Sequence, residues 1–354
     1  MEDMLLFIKK YPEMVLDAIY ATKNTKLPNY TAGEDYDKIL VCGMGGSAIG
    51  GDLLRNLLRD FIGQSSEFGL PIESIEVSRQ YGLPSNVGKR TLVFFVSYSG
   101  NTEETLSQFV EARKTGCKII SITSGGVLKE WSEHLGVPVI ELPHGFQPRA
   151  AIPYLFVPMV RYVAGDRLKK EFDEAIEVLK TIRDDEKKAE TIKKMAMLMK
   201  NHWITIYGPA EFEAVARRAK TQINENSKLP ATWGIFPELC HNDIVGYEDN
   251  DLNKELYVVF LRDSFVEKHK PTKVRIETIK EIIRPCVKGV AEIHSVGESK
   301  LARMFSLLYY VDLLSYYLAV EDKKSPVKTD NIDKLKAVLR EKVNLQAKLK
   351  KELI

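Results

Sequence analysis

Short apolar runs alternate with helical segments along most of this chain, and that alternation limits the fold more than any other feature of the sequence. In the first half the apolar runs occupy positions 37–43, 91–96, 117–122 and 137–142, and helical stretches lie between and after them. Continuous apolar runs of this kind are typical of strands buried on both faces. Strands separated by helices of about a dozen residues predict an α/β fold, in which helices cover both faces of a parallel sheet.

The same alternation returns in the second half of the chain. Apolar runs at 203–209, 255–261 and 289–296 follow a helical, mixed-charge stretch at 151–200. We therefore predict two units, each a parallel sheet sandwiched by helices (αβα). Residues 1–150 form the first unit and begin with an amphipathic helix. Residues 151–354 form the second, which includes the helical junction and ends in a helical segment from about residue 331.

Composition excludes several classes of protein. The net charge of +2 gives no strong field toward nucleic acid. No apolar run approaches the roughly 20 residues that a membrane helix needs. We expect neither nucleic acid nor membrane as a partner. The first residues, Met1–Met4, are acidic and lack the basic region of a signal peptide, which predicts a cytoplasmic protein.

Cysteine and histidine usage argues against a metal or redox centre. The chain has four cysteines, none of them in a C-x-x-C pair, and six scattered histidines without H-x-H or H-x-x-x-H spacing. Zinc sites and disulfide frameworks ordinarily show such spacings. We expect no bound metal and no cofactor.

A glycine-rich stretch at 43–51 follows the first predicted strand and precedes a helix predicted over 52–61. Glycines let the backbone approach a ligand, and a helix N-terminus attracts an anion. Ser47 adds a hydroxyl to this stretch. The spacing matches neither a P-loop nor a secure dinucleotide fingerprint. Phosphate binding and a tight turn that only packs the helix on the sheet both remain open.

A loop rich in hydroxyl groups follows the strand at 91–96. Ser97, Ser99 and Thr102 lie within six residues, just before a predicted helix. Ligands of open α/β sheets bind at the carboxyl ends of strands, and hydroxyls together with main-chain donors can hold a phosphate there. Either Ser99 or Thr102 is expected to cap the helix, but three hydroxyls exceed what a cap requires.

A carboxylate and an imidazole mark a second candidate region. Glu225 follows a helix predicted over 211–223, among Asn residues that favour caps and turns, and His241 follows a Pro-rich segment. Side chains at the point where the backbone leaves a helix are often the reactive ones. An exposed loop glutamate and a surface histidine are the alternative.

Three further residues have competing interpretations. Arg149 ends a loop beyond the first sheet and is either a fixed cation near the sheet edge or a surface ion pair. Lys336 lies on the last predicted helix, where a solvated lysine is the plain interpretation. Thr329, seven positions earlier, either faces the same way as Lys336, if the helix already includes it, or caps that helix.

Five motifs, taken in order, resemble a known family. They are Gly43–Ser47, Ser97–Thr102, Gln147–Arg149, Asn224–Lys228 and Pro237–Asn242. Together they are similar to the bifunctional phosphoglucose/phosphomannose isomerases of archaea and some bacteria, which belong to the sugar isomerase (SIS) domain superfamily. The chain departs from the pattern at Cys240, where Asn is expected, and in the tail that follows Lys336.

The resemblance implies an aldose–ketose isomerase that interconverts glucose 6-phosphate and mannose 6-phosphate with fructose 6-phosphate, with neither metal nor cofactor. It implies two SIS subdomains and a tight homodimer with shared active sites. Glu225 would be the base, while His241 of the partner chain and Lys336 would assist ring opening. Arg149 would stabilise the enediolate. The expected substrate-binding residues are Gly46, Ser47, Ser97, Ser99, Thr102 and Thr329.

Three other functions compete with this one. A non-catalytic sugar-phosphate-binding regulator keeps the hydroxyl loop but can lose Glu225 or His241, both of which are present here. The isomerase half of a glucosamine-6-phosphate synthase would need an amidotransferase domain with an N-terminal cysteine, and residue 2 is Glu. A nucleotide-binding dehydrogenase would carry G-x-G-x-x-G, which is absent.

Overall fold

Two parallel sheets organise the chain. The computed structural model describes residues 2–63, 69–248 and 251–353. The first sheet has the strand order β2-β1-β3-β4-β5, and its strands are β1 Lys38–Cys42, β2 Ser74–Ser78, β3 Thr91–Val96, β4 Lys118–Thr123 and β5 Val139–Glu141. The second has the order β7-β6-β8-β9, with β6 Trp203–Pro209, β7 Ala231–Phe236, β8 Leu256–Arg262 and β9 Gly289–His294. All neighbouring strands pair in parallel, which confirms the predicted α/β class.

Helices connect the strands and cover the sheets. Within the described ranges the α-helices are α1 Glu2–Lys9, α2 Tyr11–Asn24, α3 Gly45–Leu58, α4 Glu103–Ala112, α5 Gly126–His134, α6 Ile152–Ala164, α7 Lys169–Asp184, α8 Glu186–Met199, α9 Glu213–Gln222, α10 Lys270–Ile283, α11 Lys300–Glu321, α12 Asp330–Lys342 and α13 Leu345–Leu353. The segment after Lys336 is therefore helical, in two pieces separated near Asn344, whose φ is +47°.

The residues fall into two compact units, each of which combines separate parts of the chain. One unit comprises Met1–Pro12 with Lys169–Lys328, and the other Glu13–Leu168 with Thr329–Ile354. Two sets of contacts build the second of these units. The apolar helix α6 packs against α3 of the first sheet, and the tail returns to the same unit. There α13 packs on α4, Leu349 and Leu353 join the apolar core, and Arg113 donates to the carbonyl of Leu353 at 2.9 Å.

The strand β3 shows why apolar runs predicted the sheets correctly. All six of its side chains are buried, because it is a central strand with helices on both faces. Val93 and Phe95 enter one core cluster with Leu106 and Phe109 of α4. The rings of Phe95 and Phe109 meet edge to face, with their centroids 5.2 Å apart.

Two local predictions were wrong, and one strand was missed. The helix after β1 begins at Gly45 rather than Asp52, so most of the glycine-rich stretch is helical. A Cβ at Gly50 would lie 2.8 Å from the carbonyl oxygen of Leu155, so this glycine serves close helix packing. The strand β7 was not predicted, because Pro230 and Gly234 interrupt its pattern. The amphipathic N-terminal helix is two helices, which separate at Lys10.

Candidate active site

The order of the first sheet places a ligand crevice between β1 and β3. Connections leave these neighbouring strands toward opposite faces of the sheet, which is the arrangement that binds ligands at the carboxyl ends in doubly wound folds. At those ends β1 leads into α3, and β3 leads through the loop at 97–102 into α4. Two helix N-termini therefore open at one edge of the sheet, and both favour an anion.

Hydroxyl groups from both connections meet at this edge. The backbone N–H of Tyr98 donates to Ser47 Oγ at 3.3 Å, which joins the loop after β3 to the first turn of α3. Ser97 Oγ and Thr102 Oγ1 are 2.9 Å apart and share a hydrogen bond. Ser99 is exposed, and its Oγ accepts from the N–H of Asn101 at 3.3 Å. Thr102 precedes α4, but its side chain makes no capping hydrogen bond. Its hydroxyl is thus not committed to the cap that the sequence allowed.

The shape of this loop depends on Gly100. Its φ is +66°, a conformation that favours glycine, and a Cβ there would lie 1.8 Å from the carbonyl oxygen of Gly125. The loop is therefore pressed against the segment after β4. The N–H of Leu128 donates to the carbonyl of Gly100 at 2.9 Å and fixes this approach.

Arg149 lies beside the same edge and is buried, with 4% of its surface exposed. It belongs to the short helical turn Pro148–Ala150. A Cβ at Gly46 would lie 3.1 Å from the Cα of Arg149, so the turn rests directly on the start of α3. The structure thus brings the backbone of Arg149 close to Gly46, which precedes Ser47 in α3.

Tyr98 holds the loop that precedes Arg149. Its hydroxyl donates to the carbonyl of Pro143 at 2.7 Å and accepts from the N–H of Phe146 at 2.9 Å. Burial raises the pKa of this phenol, so it is a neutral donor at physiological pH. One side chain therefore ties the hydroxyl loop to the segment that carries Arg149.

In the other unit, Glu225 lies on the π-helical turn Ile223–Ser227, which extends α9. Turns of this type are rare and often mark functional sites. The residues that follow Glu225 are anchored in the core. Asn226 Nδ2 donates to Ser315 Oγ at 2.9 Å, and Ser227 Oγ donates to the carbonyl of Ser315 at 2.8 Å. The two residues after Glu225 are therefore held by the core, while the Glu225 side chain is half-buried.

A fully buried polar network lies beneath this turn, and sequence analysis missed it. Arg218 of α9 pairs with Asp312 of α11, with Nη2 to Oδ2 at 2.7 Å and Nε to Oδ1 at 3.1 Å. Gln222 donates to Asp312 Oδ1 at 2.9 Å, and the Tyr11 hydroxyl donates to Oδ2. Burial and the charge of Asp312 raise the pKa of Tyr11 well above its usual value. Burial lowers the pKa of Arg218, but Asp312 and Tyr11 outweigh this, so the guanidinium stays charged.

A signal for this network was present in the sequence. Asp312 is a single carboxylate inside a long apolar stretch of α11, and a buried charge must be paired. The identity of its partners could not be read from spacing, because Tyr11 and Arg218 lie far away along the chain.

His241 lies on the far side of β7 from Glu225. The helix α9 crosses from the carboxyl end of β6 back to the start of β7, so the turn with Glu225 precedes that strand, and His241 follows its carboxyl end. A strand of six residues is about 17–20 Å long. His241 is exposed, in the short helical turn Glu238–His241. Within one chain the two residues therefore do not meet.

The remaining predicted site residues belong to α12 and its start. Thr329 occupies the N-cap position, but its side chain makes no capping hydrogen bond. Lys336 is exposed, and no residue of α12 is buried. The position of Thr329 fits an N-cap, but its hydroxyl makes no capping hydrogen bond. Its contact with a substrate stays a prediction.

No group of three or more His, Cys, Asp or Glu side chains suited to a metal occurs in the described parts of the chain. None of the helices found there combines the length and apolar character needed to cross a bilayer.

Comparison with known proteins identifies the domain class of this chain. Residues 35–127 match the model of the SIS domain, and residues 188–339 match that of the bacterial phospho-glucose isomerase C-terminal SIS domain. A solved structure of a hypothetical protein from Thermus thermophilus aligns with a TM-score of 0.72 over 96% of this chain and 90% of that one, at 13% identity. The chain is thus a protein of two SIS domains.

Full-length relatives narrow the assignment. The chain is 41% identical over 341 residues to the bifunctional phosphoglucose/phosphomannose isomerase of Caldicellulosiruptor bescii, covering 93% of this chain and 97% of the relative. It is also 31% identical over 279 residues to a D-glucosamine-6-phosphate 4-epimerase of Sulfolobus acidocaldarius, covering 77% of this chain and 84% of that protein. The chain belongs to the bifunctional phosphoglucose/phosphomannose isomerase family.

Proposed function

We propose that this protein reversibly isomerises glucose 6-phosphate and mannose 6-phosphate to fructose 6-phosphate in the cytoplasm. The observation that carries the proposal is the similarity to the Caldicellulosiruptor bescii isomerase over 93% of the chain. The hydroxyl groups and helix N-termini at the β1/β3 edge support it, since they suit the phosphate that all three sugars share.

The proposed mechanism moves one proton between C1 and C2 through a cis-enediol, without a metal. Glu225 acts as the base, His241 and Lys336 assist ring opening, and Arg149 stabilises the negative charge of the enediolate. Proton transfer needs such a base, an acid–base partner at the ring oxygen and a cation near the developing charge.

The phosphate is proposed to bind through Gly46, Ser47, Ser97, Ser99 and Thr102. It is remote from the reacting carbons, so its binding energy positions them rather than taking part in the chemistry. Thr329 is proposed to contact the sugar near C1 and C2, where a short side chain leaves room for rotation about the C2–C3 bond.

We further propose a homodimer in which His241 of one chain serves the site of Glu225 in the other. The separation of these residues by β7 supports this, because within one chain they lie near opposite ends of that six-residue strand. The helix α12 also offers an apolar stripe for a partner, since Ile332, Leu335 and Val338 are exposed at helical spacing.

The test of function is a coupled assay of the purified protein with fructose 6-phosphate. We expect both glucose 6-phosphate and mannose 6-phosphate to form, at rates unchanged by EDTA. Glucosamine 6-phosphate is included as a substrate because one relative is a 4-epimerase of that sugar. Epimerisation of glucosamine 6-phosphate without isomerisation of fructose 6-phosphate would refute the proposal, and loss of activity in EDTA would refute the metal-free mechanism.

The phosphate site predicts a specific change in KM. Ser99→Ala with Thr102→Ala removes two hydrogen bonds to a charged group, each worth about 1.5–3 kcal/mol. We expect KM for fructose 6-phosphate to rise at least tenfold, with a much smaller effect on kcat. Ser107→Ala, in the second turn of the helix α4 that follows Thr102, is the matched control. An unchanged KM in the double variant would leave these hydroxyls with a structural role only.

A further inference from the structure

Lys228 occupies an unusual position at the end of the turn that carries Glu225. Its backbone is left-handed, with φ of +61°, which lysine adopts rarely. Its Nζ lies close to three backbone carbonyl oxygens, those of Glu225 at 2.5 Å, Ser325 at 2.8 Å and Lys328 at 2.8 Å, while that of Asn226 is further away at 3.5 Å. An ammonium group has three N–H donors, so the three close acceptors match its full capacity.

The close acceptors belong to two segments that are distant in sequence. Glu225 lies on the π-helical turn, whereas Ser325 and Lys328 belong to the connection between α11 and α12. That connection has a tight shape of its own, because the N–H groups of Val327 and Lys328 both approach Ser325 Oγ at 3.4 Å. The ammonium group of Lys228 therefore connects the π-helical turn to the segment between α11 and α12.

The geometry points to Lys228 as a positioning residue, whose ammonium holds the Glu225 turn in register with residues 325–328. This inference rests on the proposed role of Glu225 as the base. The bond to the Glu225 carbonyl acts on the same residue whose carboxylate must reach the substrate carbons. The bond to Lys328 fixes the residue that precedes Thr329 in the chain.

The unfavourable backbone of Lys228 supports this role. Glycine would adopt the left-handed conformation without strain, so a lysine there needs a compensating interaction. Its bonds to three carbonyls supply that interaction. Because misplacement of a reacting group by about 1 Å can cost 10²-fold in rate, loss of the ammonium should act on proton transfer. Phosphate binding in the other unit should be unaffected.

Two substitutions of Lys228 test the inference. Lys228→Met removes the donors and keeps the aliphatic chain, while Lys228→Gly removes the donors and relieves the backbone strain. We expect kcat to fall about 10- to 100-fold in both, with KM within about twofold of wild type. The kinetic isotope effect with 2-deuterated glucose 6-phosphate should rise, because proton transfer becomes more strongly rate-limiting. Lys323→Gly is the matched control, since Lys323 has φ of +53° in the same connection.

Hydrogen–deuterium exchange of residues 322–330 gives a readout that does not depend on activity. We expect faster exchange in both Lys228 variants and wild-type exchange in Lys323→Gly. Unchanged kcat despite faster exchange would overturn the inference, as would a loss of kcat that follows the melting temperature from Lys228→Met to Lys228→Gly. A wild-type protein that fails to isomerise fructose 6-phosphate would instead refute the proposed function, and the exchange result would still show whether Lys228 holds the connection.

Discussion

Glu225→Gln is expected to lower kcat by 10²-fold to 10⁴-fold or more, while affinity for sugar phosphates stays within a few-fold of wild type. An amide keeps the shape of the side chain but cannot accept the C1 or C2 proton, and removal of a general base costs about this much. The phosphate contacts proposed at Ser97, Ser99 and Thr102 are untouched. Turnover is measured with fructose 6-phosphate, and affinity by calorimetric titration of the inactive variant.

The control for this substitution lies just before the same helix. Glu211→Gln makes the same chemical change in the short helical turn Ala210–Phe212, away from the π-helical turn. It should retain wild-type turnover. Turnover of Glu225→Gln within tenfold of wild type would remove Glu225 from the role of base.

Mixing of inactive subunits extends the same experiment to the proposed dimer. Glu225→Gln and His241→Ala chains, each inactive alone, should regain activity after subunit exchange. A mixed dimer then contains one site with both residues intact. Absence of recovery in demonstrated heterodimers would place Glu225 and His241 in a site that one chain forms by itself.

Asp312→Asn is expected to lower the free energy of unfolding by about 3–5 kcal/mol. Removing one partner of a buried ion pair leaves the other as an uncompensated charge, and Arg218 is almost wholly enclosed. Tyr11 and Gln222 would also lose the charged oxygens to which they donate. The measurement is urea-induced unfolding at neutral pH, with the transition of the unit that contains α11 followed separately.

Two further variants show whether the charge itself is responsible. Tyr11→Phe removes one hydrogen bond to a charged acceptor and should cost about 1.5–3 kcal/mol. Arg218→Met combined with Asp312→Leu removes both charges and should recover much of the stability lost in Asp312→Asn, because apolar replacement of a buried pair is often nearly neutral. A loss below about 1 kcal/mol in Asp312→Asn would mean that water or rearranged side chains solvate Arg218.

The sequence predicted the fold best where a strand is central. Residues 91–96 carry apolar side chains on both faces, and the structure confirms a fully buried strand there. Residues 231–236 form an edge strand with half-buried side chains and an internal glycine, so neither alternation nor a continuous apolar run marked it. Gly50 and Gly51 were interpreted as part of a turn, but they lie within α3. Glycine is needed at these positions because Leu155 and Val41 approach the helix closely, and such tertiary contacts cannot be read from the local sequence.

The candidate site was predictable to a similar degree. The hydroxyl residues Ser97, Ser99 and Thr102 could be proposed because a strand end and a helix start fix their surroundings locally. The network of Arg218 and Asp312 was not found, because it depends on the packing of helices far apart in the chain. The separation of Glu225 from His241 within one chain was implied only by the family resemblance, because the strand β7 that separates them was missed.

The contact between Tyr11 and Asp312 has a consequence for how the protein reaches its native state. The two residues are 301 positions apart, and the unit that contains them also needs strands from the middle of the chain. The other unit likewise recruits the last helix, α13, to a sheet formed by early residues. Neither unit is therefore complete until residues as late as Asp312 in one and Leu353 in the other have been synthesised. Contacts of such long range slow folding, so apolar strands remain exposed on the nascent chain during synthesis. We therefore expect chaperone binding during synthesis to matter more here than for a protein whose domains are continuous in sequence.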